Sequence, residues 1–341
     1  MCKTKIYSQM KLRNIYSAIL LAFAFMGVSC DDEPVLMKDP VTALSNDCIK
    51  RSLPIAPNLI GEEIEFAYAM AIPKELGQLT SAQVVASIPG ASGTYIDPNS
   101  YHTNASGQDV PVPVASESQT SGGTTSIQFT VDTSAATLRF YYIVPEEARG
   151  KEVSFKFSVK SSNGQSAEYD MGPYKISNMD MTRNLSLTSD DECYISFHDN
   201  TKAAVIYSKN DLATDPSLAS QIDLVYAQHA SADLSHALYA ADAPEAYRPD
   251  VVFPSGFSNQ TKIIKEYGLR DRQLSNLQYS HFIDDLDFQE INMERSTNYV
   301  LALKEEAGVW IETADGSYRA FVYINTAGAD SMTISVKRYK M

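Results

Sequence analysis

The sequence predicts a mainly β chain with two domains, a β-sandwich followed by a second β-rich domain with short helices. Three observations predict this class. Large apolar residues recur at every second position in several segments, clusters of Gly, Pro, Ser and Asp bound those segments, and no long helical pattern interrupts them. A chain of 341 residues is long enough for two domains, each with its own hydrophobic core.

The first domain is predicted over residues 59–178. From Ile64 to Ile72, large apolar residues alternate with small or acidic ones, which is typical of a strand with one buried face. Because turn-forming residues separate about seven such strands, this region is expected to fold as a β-sandwich. The same alternation recurs in residues 127–131, 138–144 and 153–159.

Two local signals refine this domain. Asn163-Gly164 can supply positive φ angles and predicts a type I′ hairpin turn. Pro111 and Pro113 cannot donate to a ladder, so their strand is expected at a sheet edge. The arrangement resembles an immunoglobulin-like domain in its architecture, although the sequence lacks the Cys–Trp–Cys signature of antibody domains.

The second domain is predicted over residues 179–341, after a hinge at residues 177–184. One short helix is expected to begin at Thr214-Asp215-Pro216, because Asp caps helices and Pro suits their first turn. A second is expected to begin at Asp271. From Asn298 onward the chain returns to alternating apolar strands, which predicts a C-terminal meander.

Residues 1–29 are predicted to be an export signal. Residues 1–16 carry basic groups and no acid, and the apolar run "SAILLAFAFMGVS" follows. A membrane-spanning helix needs about 20 apolar residues. This run is shorter and ends in small residues, which favours a cleaved signal peptide.

The end of the run, "GVSC", resembles the lipobox of bacterial lipoproteins. The resemblance implies cleavage between Ser29 and Cys30 and attachment of acyl chains such as palmitate through the Cys30 sulfur, which would anchor a domain without a spanning helix. The next three residues are similar to the tag that sends Bacteroidetes-type lipoproteins to the cell surface. The chain is therefore expected at the outer membrane, facing the cell exterior, with membrane lipid as its partner. The tag residues are Asp31, Asp32 and Glu33.

Residues 30–58 are predicted to form the lipidated N-terminus and a tether, because Pro, Asp and Asn recur there without a sustained period. Lys50-Arg51 within it has two interpretations. The pair is solvated charge in an exposed linker, or it is a processing site. In the second case it would resemble surface pilins of the same bacterial group, which are cut after a basic residue to free an assembly groove.

The chain is acidic, with 42 Asp and Glu residues against 28 Lys and Arg residues and a formal net charge of −14. Phosphate backbones and anionic lipid head groups repel such a chain. Nucleic acid is therefore not expected as a partner, and acylated Cys30 has to supply the membrane attachment.

Cys48 and Cys193 are the cysteines of the predicted folded part. In an oxidising envelope they form either a disulfide or two separately buried thiols. No CxxC or HxxxH motif indicates zinc. His229 and His236 are a further possible metal pair, although lone histidines at strand ends more often have structural hydrogen bonds. No metal or cofactor is predicted.

Motifs of common catalytic sites, such as GxSxG, HExxH and a phosphate-binding glycine loop, are absent from the sequence. The prediction is a protein without enzymatic activity, and a hydrolase with two facing carboxylates is the alternative. The densest acidic group in the predicted domains contains Asp284, Asp285 and Asp287. This group is interpreted either as a calcium site or as a solvated turn beside buried apolar residues.

Trp310 is the candidate ligand-binding residue. If its indole faces outward from the strand "GVWIE", it can stack on a sugar ring; otherwise it packs between sheets or domains. Ser331 is a candidate O-glycosylation site. Its Asp-Ser-Met context resembles the short sites that Bacteroidetes-type bacteria glycosylate on exported proteins.

The segments "YISFHDN", "QIDLVYAQH" and "IDDLDF", with the C-terminal strands, resemble the second half of uncharacterised Bacteroidetes-type surface lipoproteins. The resemblance implies kinship and no specific activity. The functional hypothesis is non-catalytic capture of an extracellular glycan or peptide beside the proteins of a nutrient-uptake system. The alternatives are a structural, adhesive or pilin-like subunit and a hydrolase acting through paired carboxylates.

Overall fold

Antiparallel strands are the main secondary structure of this computed structural model, which describes residues 42–53, 55–275 and 280–341. Residues 43–341 form one unit. The first twelve strands are β1 (Ser45–Lys50), β2 (Asn58–Ile60), β3 (Glu63–Ala71), β4 (Leu79–Ala86), β5 (Tyr95–Ile96), β6 (Asn99–Thr103), β7 (Asp109–Pro113), β8 (Gln119–Ser121), β9 (Thr124–Gln128), β10 (Ala135–Ile143), β11 (Glu152–Ser161) and β12 (Ser166–Thr188).

Short helices lie between the strands, and all of the described ones except Glu146–Ala148 are in the C-terminal part. The α-helices are α1 (Lys209–Thr214), α2 (Arg272–Ser275) and α3 (Asp285–Glu290), and the 3-10 helices are Glu146–Ala148, Pro216–Gln221, Glu245–Tyr247 and Met293–Arg295. The remaining strands are β13 (Glu192–Ser196), β14 (Val205–Ser208), β15 (Leu224–Ala227), β16 (Ala237–Tyr239), β17 (Lys262–Tyr267), β18 (Tyr299–Val300), β19 (Ala307–Glu312), β20 (Tyr318–Ala327) and β21 (Ser331–Lys340).

The N-terminal region is a β-sandwich, as the alternating pattern predicts. One sheet has the order β1-β3-β10-β5, and it shares a core with β4, β9, β11 and the first part of β12. Aromatic rings from the two sheets meet in this core: the centroids of Phe66 and Phe155 lie 4.8 Å apart, and those of Tyr68 and Phe157 lie 5.0 Å apart. Burial of these large side chains is the main stabilising contribution to the sandwich.

One large sheet extends through both predicted domains, in the order β17-β19-β20-β21-β12-β11-β4-β9-β8. The strand β12 is 23 residues long; its first part pairs with β11 and its later part with β21. The predicted hinge at residues 177–184 is therefore wrong, because these residues lie inside β12. The polar residues of this segment suggest a linker. Ser177 and Asp180 are nevertheless buried, and they form hydrogen bonds with residues far along the chain.

The C-terminal strands are covered on both faces. Val309 and Ile311 of β19 belong to a core shared with β13 and β15, whereas Trp310 belongs to a second core beneath α2 and α3. The strands β13 and β15, on the side of Val309 and Ile311, belong to a smaller sheet with the order β14-β13-β15-β16-β18. A strand buried on both faces carries apolar residues at consecutive positions, as "GVWI" does.

Two capping predictions are confirmed. The Asp215 side chain accepts a hydrogen bond from the Ser217 amide at 3.0 Å and begins the 3-10 helix with Pro216 in its first turn. The Asp271 carboxylate accepts from the Gln273 amide at 2.8 Å, at the start of α2. Each carboxylate satisfies an amide that the first helical turn leaves unpaired.

Of the two local predictions for the first domain, the edge strand is confirmed and the turn type is wrong. Pro111 and Pro113 lie in β7, which among the described strands pairs with β6 alone in a two-stranded sheet, so the edge-strand prediction is confirmed. The Asn163-Gly164 segment closes the β11–β12 hairpin, but only Gly164 has a positive φ, +83°. The type I′ prediction is therefore wrong, since that turn needs positive φ at both central residues.

The predicted tether at residues 30–58 includes ordered strand. Residues Ser45–Lys50 form β1, which pairs with β3. Only Cys48 of this strand is buried, so the sequence has no alternating apolar pattern that would reveal it. Within the described ranges, no helix is both long and apolar enough to cross a membrane.

Candidate functional site

A cleft of about 630 Å³ is the candidate functional site. Three chain segments line it: residues 55–58, which end at the first residue of β2, residues 173–177 of β12, and residues 280–286, which include the start of α3. Lys50, at the end of β1, completes the lining. A volume of this size is typical of small-ligand and peptide-side-chain pockets.

Lys50 places a cation in this cleft. Its Nζ donates a hydrogen bond to Asn58 Oδ1 at 2.8 Å and lies 5.4 Å from the centroid of the Tyr174 ring. Partial burial lowers the pKa of Lys50 below its usual value. The aromatic ring and the amide oxygen both stabilise the ammonium group in the partly buried position.

Asp285 attaches α3 to β12. Its carboxylate accepts hydrogen bonds from the Ser177 hydroxyl and from the Asn178 amide, the latter at 3.2 Å. The Lys175 ammonium group lies 3.6 Å from Asp285 Oδ2, and most of the Lys175 side chain is exposed. One wall of the cleft is therefore fixed to another by a buried carboxylate, while Lys175 stays accessible to a ligand.

The other two aspartates of the acidic group cap α3. The Asp284 side chain accepts from the Leu286 amide at 2.8 Å, and the Asp287 carboxylate accepts from the Asp284 amide at 2.9 Å. This is a reciprocal capping box. The calcium interpretation of Asp284, Asp285 and Asp287 is therefore wrong, since their oxygens face backbone amides and a serine. In the described part of the chain, no group of three His, Cys, Asp or Glu side chains could hold a metal ion.

A buried ion pair holds the segment that leads into α3. Lys337 Nζ lies 2.6 Å from Asp271 Oδ2 and 2.9 Å from the Ile283 carbonyl oxygen, and both charged side chains are fully buried. Burial lowers the pKa of Lys337 despite the neighbouring carboxylate. Since an unpaired charge at this depth is costly, the pair fixes Asp271 and Ile283 against β21.

Large apolar side chains line the cleft where it opens to solvent. Ile55 is 82% exposed and Leu286 is 57% exposed. Single exposed apolar residues are common, but several around one concave site are typical of an interaction surface. Phe282 and Pro173 add apolar surface to the same lining.

Trp310 does not contribute to this cleft. The indole is 4% exposed and packs against Phe288 and Phe321, with ring centroids 5.2 and 4.7 Å away. The alternative of an outward, sugar-stacking indole is therefore wrong, and the alternative of a packed indole is correct. The physical reason is that α3 covers this face of the sheet. Side chains alternate between the two faces of β19, but both faces are covered, so neither is exposed to solvent.

The two cysteines do not pair. Cys48 and Cys193 are both free and buried, and they belong to different hydrophobic cores. The disulfide alternative is therefore wrong and the alternative of two separate thiols is correct. Burial raises the pKa of Cys48 to about 12 and that of Cys193 to about 11.

The histidine pair has structural hydrogen bonds. His236 Nδ1 lies 2.8 Å from the Tyr226 hydroxyl, and its Nε2 lies 2.7 Å from the Gly328 carbonyl oxygen. His229 Nε2 lies 2.9 Å from the Tyr239 hydroxyl. Each imidazole therefore has its own tyrosine partner, and the two do not form a joint metal site.

Other sequence predictions have no structural test. Ser331 is exposed at the first position of β21, where O-glycosylation remains a prediction. Ser29, Cys30, Asp31, Asp32 and Glu33 lie outside the described residues.

Known proteins resemble the chain over almost its whole length. Residues 41–176 match the model of the DUF4466 domain, and residues 177–341 match that of the DUF8576 domain; both are domains of unknown function. A crystal structure of a DUF4466 family protein from Parabacteroides merdae is 68% identical, with a TM-score of 0.84, and the match covers 89% of this chain and all of that one. The chain belongs to the DUF4466 family.

The DUF4466 chain also matches distant structures. The major pilin BcpA of Bacillus cereus is 13% identical, with a TM-score of 0.27, and the match covers 48% of this chain and 55% of the pilin. The major pilin GBS80 of Streptococcus agalactiae is 14% identical, with a TM-score of 0.31, and the match covers 62% of this chain and 88% of that fragment. Such low scores support no functional argument. No curated protein matches the chain.

Sequence reasoning missed most of the cleft in this DUF4466 protein. In the sequence, Lys50 is conspicuous only as part of a basic pair, and Asp284 only as part of an acidic group. Tyr174, Ile55 and Leu286 come from three remote segments, and no period or motif connects them. One weak signal was available: Ile55 is a large apolar residue in an otherwise turn-rich segment, "LPIAPN".

Proposed function

We propose that this protein is a lipid-anchored surface protein that captures an extracellular polypeptide segment in the cleft, without catalysis, beside a nutrient-uptake system. The exposed apolar side chains of Ile55 and Leu286, in one cleft with lysines, carry this proposal. Burial of exposed apolar surface of this kind under an apolar side chain of a partner lowers the free energy of the complex.

The charges in the cleft support a polypeptide as the ligand. The accessible ammonium group of Lys175 and the ammonium group of Lys50 suit a carboxylate, from an acidic side chain or a chain terminus. The aromatic ring of Tyr174 already contacts Lys50, so it is less available for a sugar. A ligand with an apolar side chain next to an acidic group fits both features.

A random peptide display library tests the proposal. We expect the purified wild-type protein to enrich peptides that combine an apolar residue with an acidic one. Leu286→Asp and Lys50→Gln should each weaken binding of the selected peptides at least tenfold. Val131→Asp is the matched control, because Val131 is also an exposed apolar residue, 46% accessible, and does not line the cleft. Equal binding by the cleft variants and the control, with all of them folded by circular dichroism, contradicts the proposal.

The anchor is proposed from the N-terminal sequence, in which the apolar run ends at Cys30 and acids follow. Several acyl chains on Cys30 would hold the domain at a membrane, because each buried methylene contributes about 0.8 kcal/mol. Radiolabelled palmitate should enter the wild type and not Cys30→Ala. Protease added to intact cells should degrade the wild-type protein; survival of the full-length band would argue against surface exposure.

One observation favours the structural-subunit alternative. The strand β1 pairs with β3 and, in the described chain, with no strand on its other side, and Arg51 follows it directly. Cleavage after Arg51 would allow β1 to leave and would expose the edge of β3 to a strand from another subunit. Mass spectrometry of the native protein tests this: an N-terminus at Ser52 with loss of β1 supports the alternative, and an intact Arg51-Ser52 bond argues against it.

A further inference from the structure

A second pocket, of about 420 Å³, lies where β17 and β18 begin. It shares no lining residue with the cleft. Its lining consists of polar side chains and one tyrosine, Tyr299. A lining of this composition offers a ligand several hydrogen-bonding groups beside apolar surface, which suits a ligand that has both kinds of surface.

Thr261 is the buried member of this lining. The residue is 1% exposed, and its hydroxyl Oγ1 has no hydrogen-bond partner among the described residues. Buried polar atoms are nearly always satisfied in folded proteins. A buried hydroxyl that belongs to a pocket lining and lacks a protein partner is a candidate contact for a hydrogen-bonding ligand.

Tyr299 is the aromatic residue of the lining, and its ring has a fixed orientation. Its ring is stacked on that of Tyr247, with centroids 4.7 Å apart and an interplanar angle of 17°. Residues 299–300 also pair with β16. Because the ring is held by both contacts, little conformational entropy is lost when a ligand packs against it. The faces of aromatic rings carry partial negative charge and attract the weakly positive C–H groups of a sugar ring.

The rim supplies hydrogen-bonding groups without a concentrated charge. The side chains of Asp242 and Gln260 are exposed and have no hydrogen-bond partner within the described chain. Lys262 Nζ lies 2.6 Å from Glu312 Oε1, and Arg319 pairs with the same carboxylate at 2.8 Å. With Asp242, two carboxylates therefore balance these two cations. A carboxylate and amides that can bind hydroxyl groups, without an excess of positive charge, disfavour phosphate or sulfate.

We propose that this pocket, between Thr261 and Tyr299, binds one or two rings of a neutral saccharide. The Tyr299 ring packs against the C–H face of the sugar. The Thr261 hydroxyl and the Asp242 carboxylate hydrogen-bond its hydroxyl groups. The site is separate from the cleft, so the protein would have one surface for a polypeptide and another for a sugar.

An array of neutral, sialylated and sulfated glycans tests this proposal with the purified protein. We expect binding to neutral glycans, and at least a tenfold loss of affinity for the best of them in Thr261→Val and in Asp242→Asn. Thr261→Val keeps the side-chain shape and removes only an unsatisfied hydroxyl, so its melting temperature should equal or exceed that of the wild type. Ser52→Ala is the matched control, because Ser52 also has a buried, unpartnered hydroxyl and lies outside the pocket.

Three results overturn the proposal: no glycan bound by the wild type, a preference for sulfated or sialylated glycans, or neutral-glycan binding that Thr261→Val and Asp242→Asn leave unchanged. The cleft variant Leu286→Asp should bind glycans as the wild type does. Failure of the saccharide proposal is therefore distinguishable from failure of the peptide-capture proposal, since each site has its own variants and its own probe.

Discussion

Asp180 and Arg338 face each other on the paired strands β12 and β21, and their side chains form two parallel hydrogen bonds. Arg338 Nε lies 3.0 Å from Asp180 Oδ1, and Arg338 Nη2 lies 2.7 Å from Oδ2. Arg149, from the turn before β11, donates to the same Oδ2 at 3.1 Å. One buried carboxylate therefore connects the sandwich with the last strand of the chain.

We expect Asp180→Asn to lower the free energy of unfolding by about 3 kcal/mol, because it leaves the buried Arg338 guanidinium without its anion and removes one of the two carboxylates that pair with Arg149. Urea denaturation followed by circular dichroism measures the change. Lys156→Gln is the control: Lys156 forms ion pairs with Glu168 and Asp170 on an exposed surface, and its loss should leave the urea midpoint nearly unchanged. Equal effects of the two substitutions would show that the Asp180 pair does not stabilise the junction.

His198 should make stability depend on pH. Its Nε2 lies 3.2 Å from Oδ1 of the buried Asp223, and this hydrogen bond raises the pKa of His198 above its usual 6.5. The folded protein thus binds more protons than the unfolded chain from about pH 6.5 up to the raised pKa. The free energy of unfolding should fall as pH rises through this window.

Urea titrations at several pH values between 6 and 8 measure this dependence. His198→Gln should make the curve flatter in this range, because glutamine does not titrate. Burial also raises the pKa of Asp223, which makes the free energy of unfolding depend on pH in a more acidic range. A slope that is the same in wild type and His198→Gln would refute the assignment to this imidazole.

The capping box of α3 predicts a small, metal-independent effect. Asp284→Ala should destabilise the protein by about 1 kcal/mol, the usual cost of losing an N-cap carboxylate. Neither calcium nor a chelator should change the melting temperature of the wild type, since the aspartate oxygens are bonded to amides and to Ser177. A calcium-dependent rise in melting temperature that Asp284→Ala abolishes would restore the calcium interpretation.

Cys48 and Cys193 should be protected in the native protein. Burial and a raised pKa both reduce the thiolate available for alkylation. Iodoacetamide at pH 8 should modify neither residue in the folded state and both in denaturant, as mapped by peptide mass spectrometry. A peptide linked through Cys48 and Cys193 would contradict two separate thiols.

The alternating strands could be predicted because one face of each is buried and the other is exposed. The strand at Ile64 to Ile72 corresponds to β3. The strand β1 could not be predicted in this way, because only Cys48 of its residues is buried. The strand β12 was interpreted as containing a hinge, because the partners that satisfy its polar residues, such as Asp285 and Arg338, are far away in sequence.

The candidate sites were harder to predict because their surroundings also come from distant parts of the sequence. The face of Trp310 depends on what covers the sheet, and α3, which covers it, begins at the acidic group that was interpreted as a metal site or a turn. The cleft combines segments more than a hundred residues apart, such as those of Ile55 and Tyr174. Residue spacing shows neither the closeness of such segments nor the solvent exposure of Leu286.

Site-specific photo-crosslinking tests peptide capture in the cleft most directly. The full chain would carry p-benzoylphenylalanine at position 286 or, as the control, at position 131, and would be illuminated with a peptide selected by the wild type. Our account predicts a crosslinked product from position 286 and little from position 131, with adducts mapped by mass spectrometry. A peptide that crosslinks at position 131 and not at position 286 would contradict capture in the cleft.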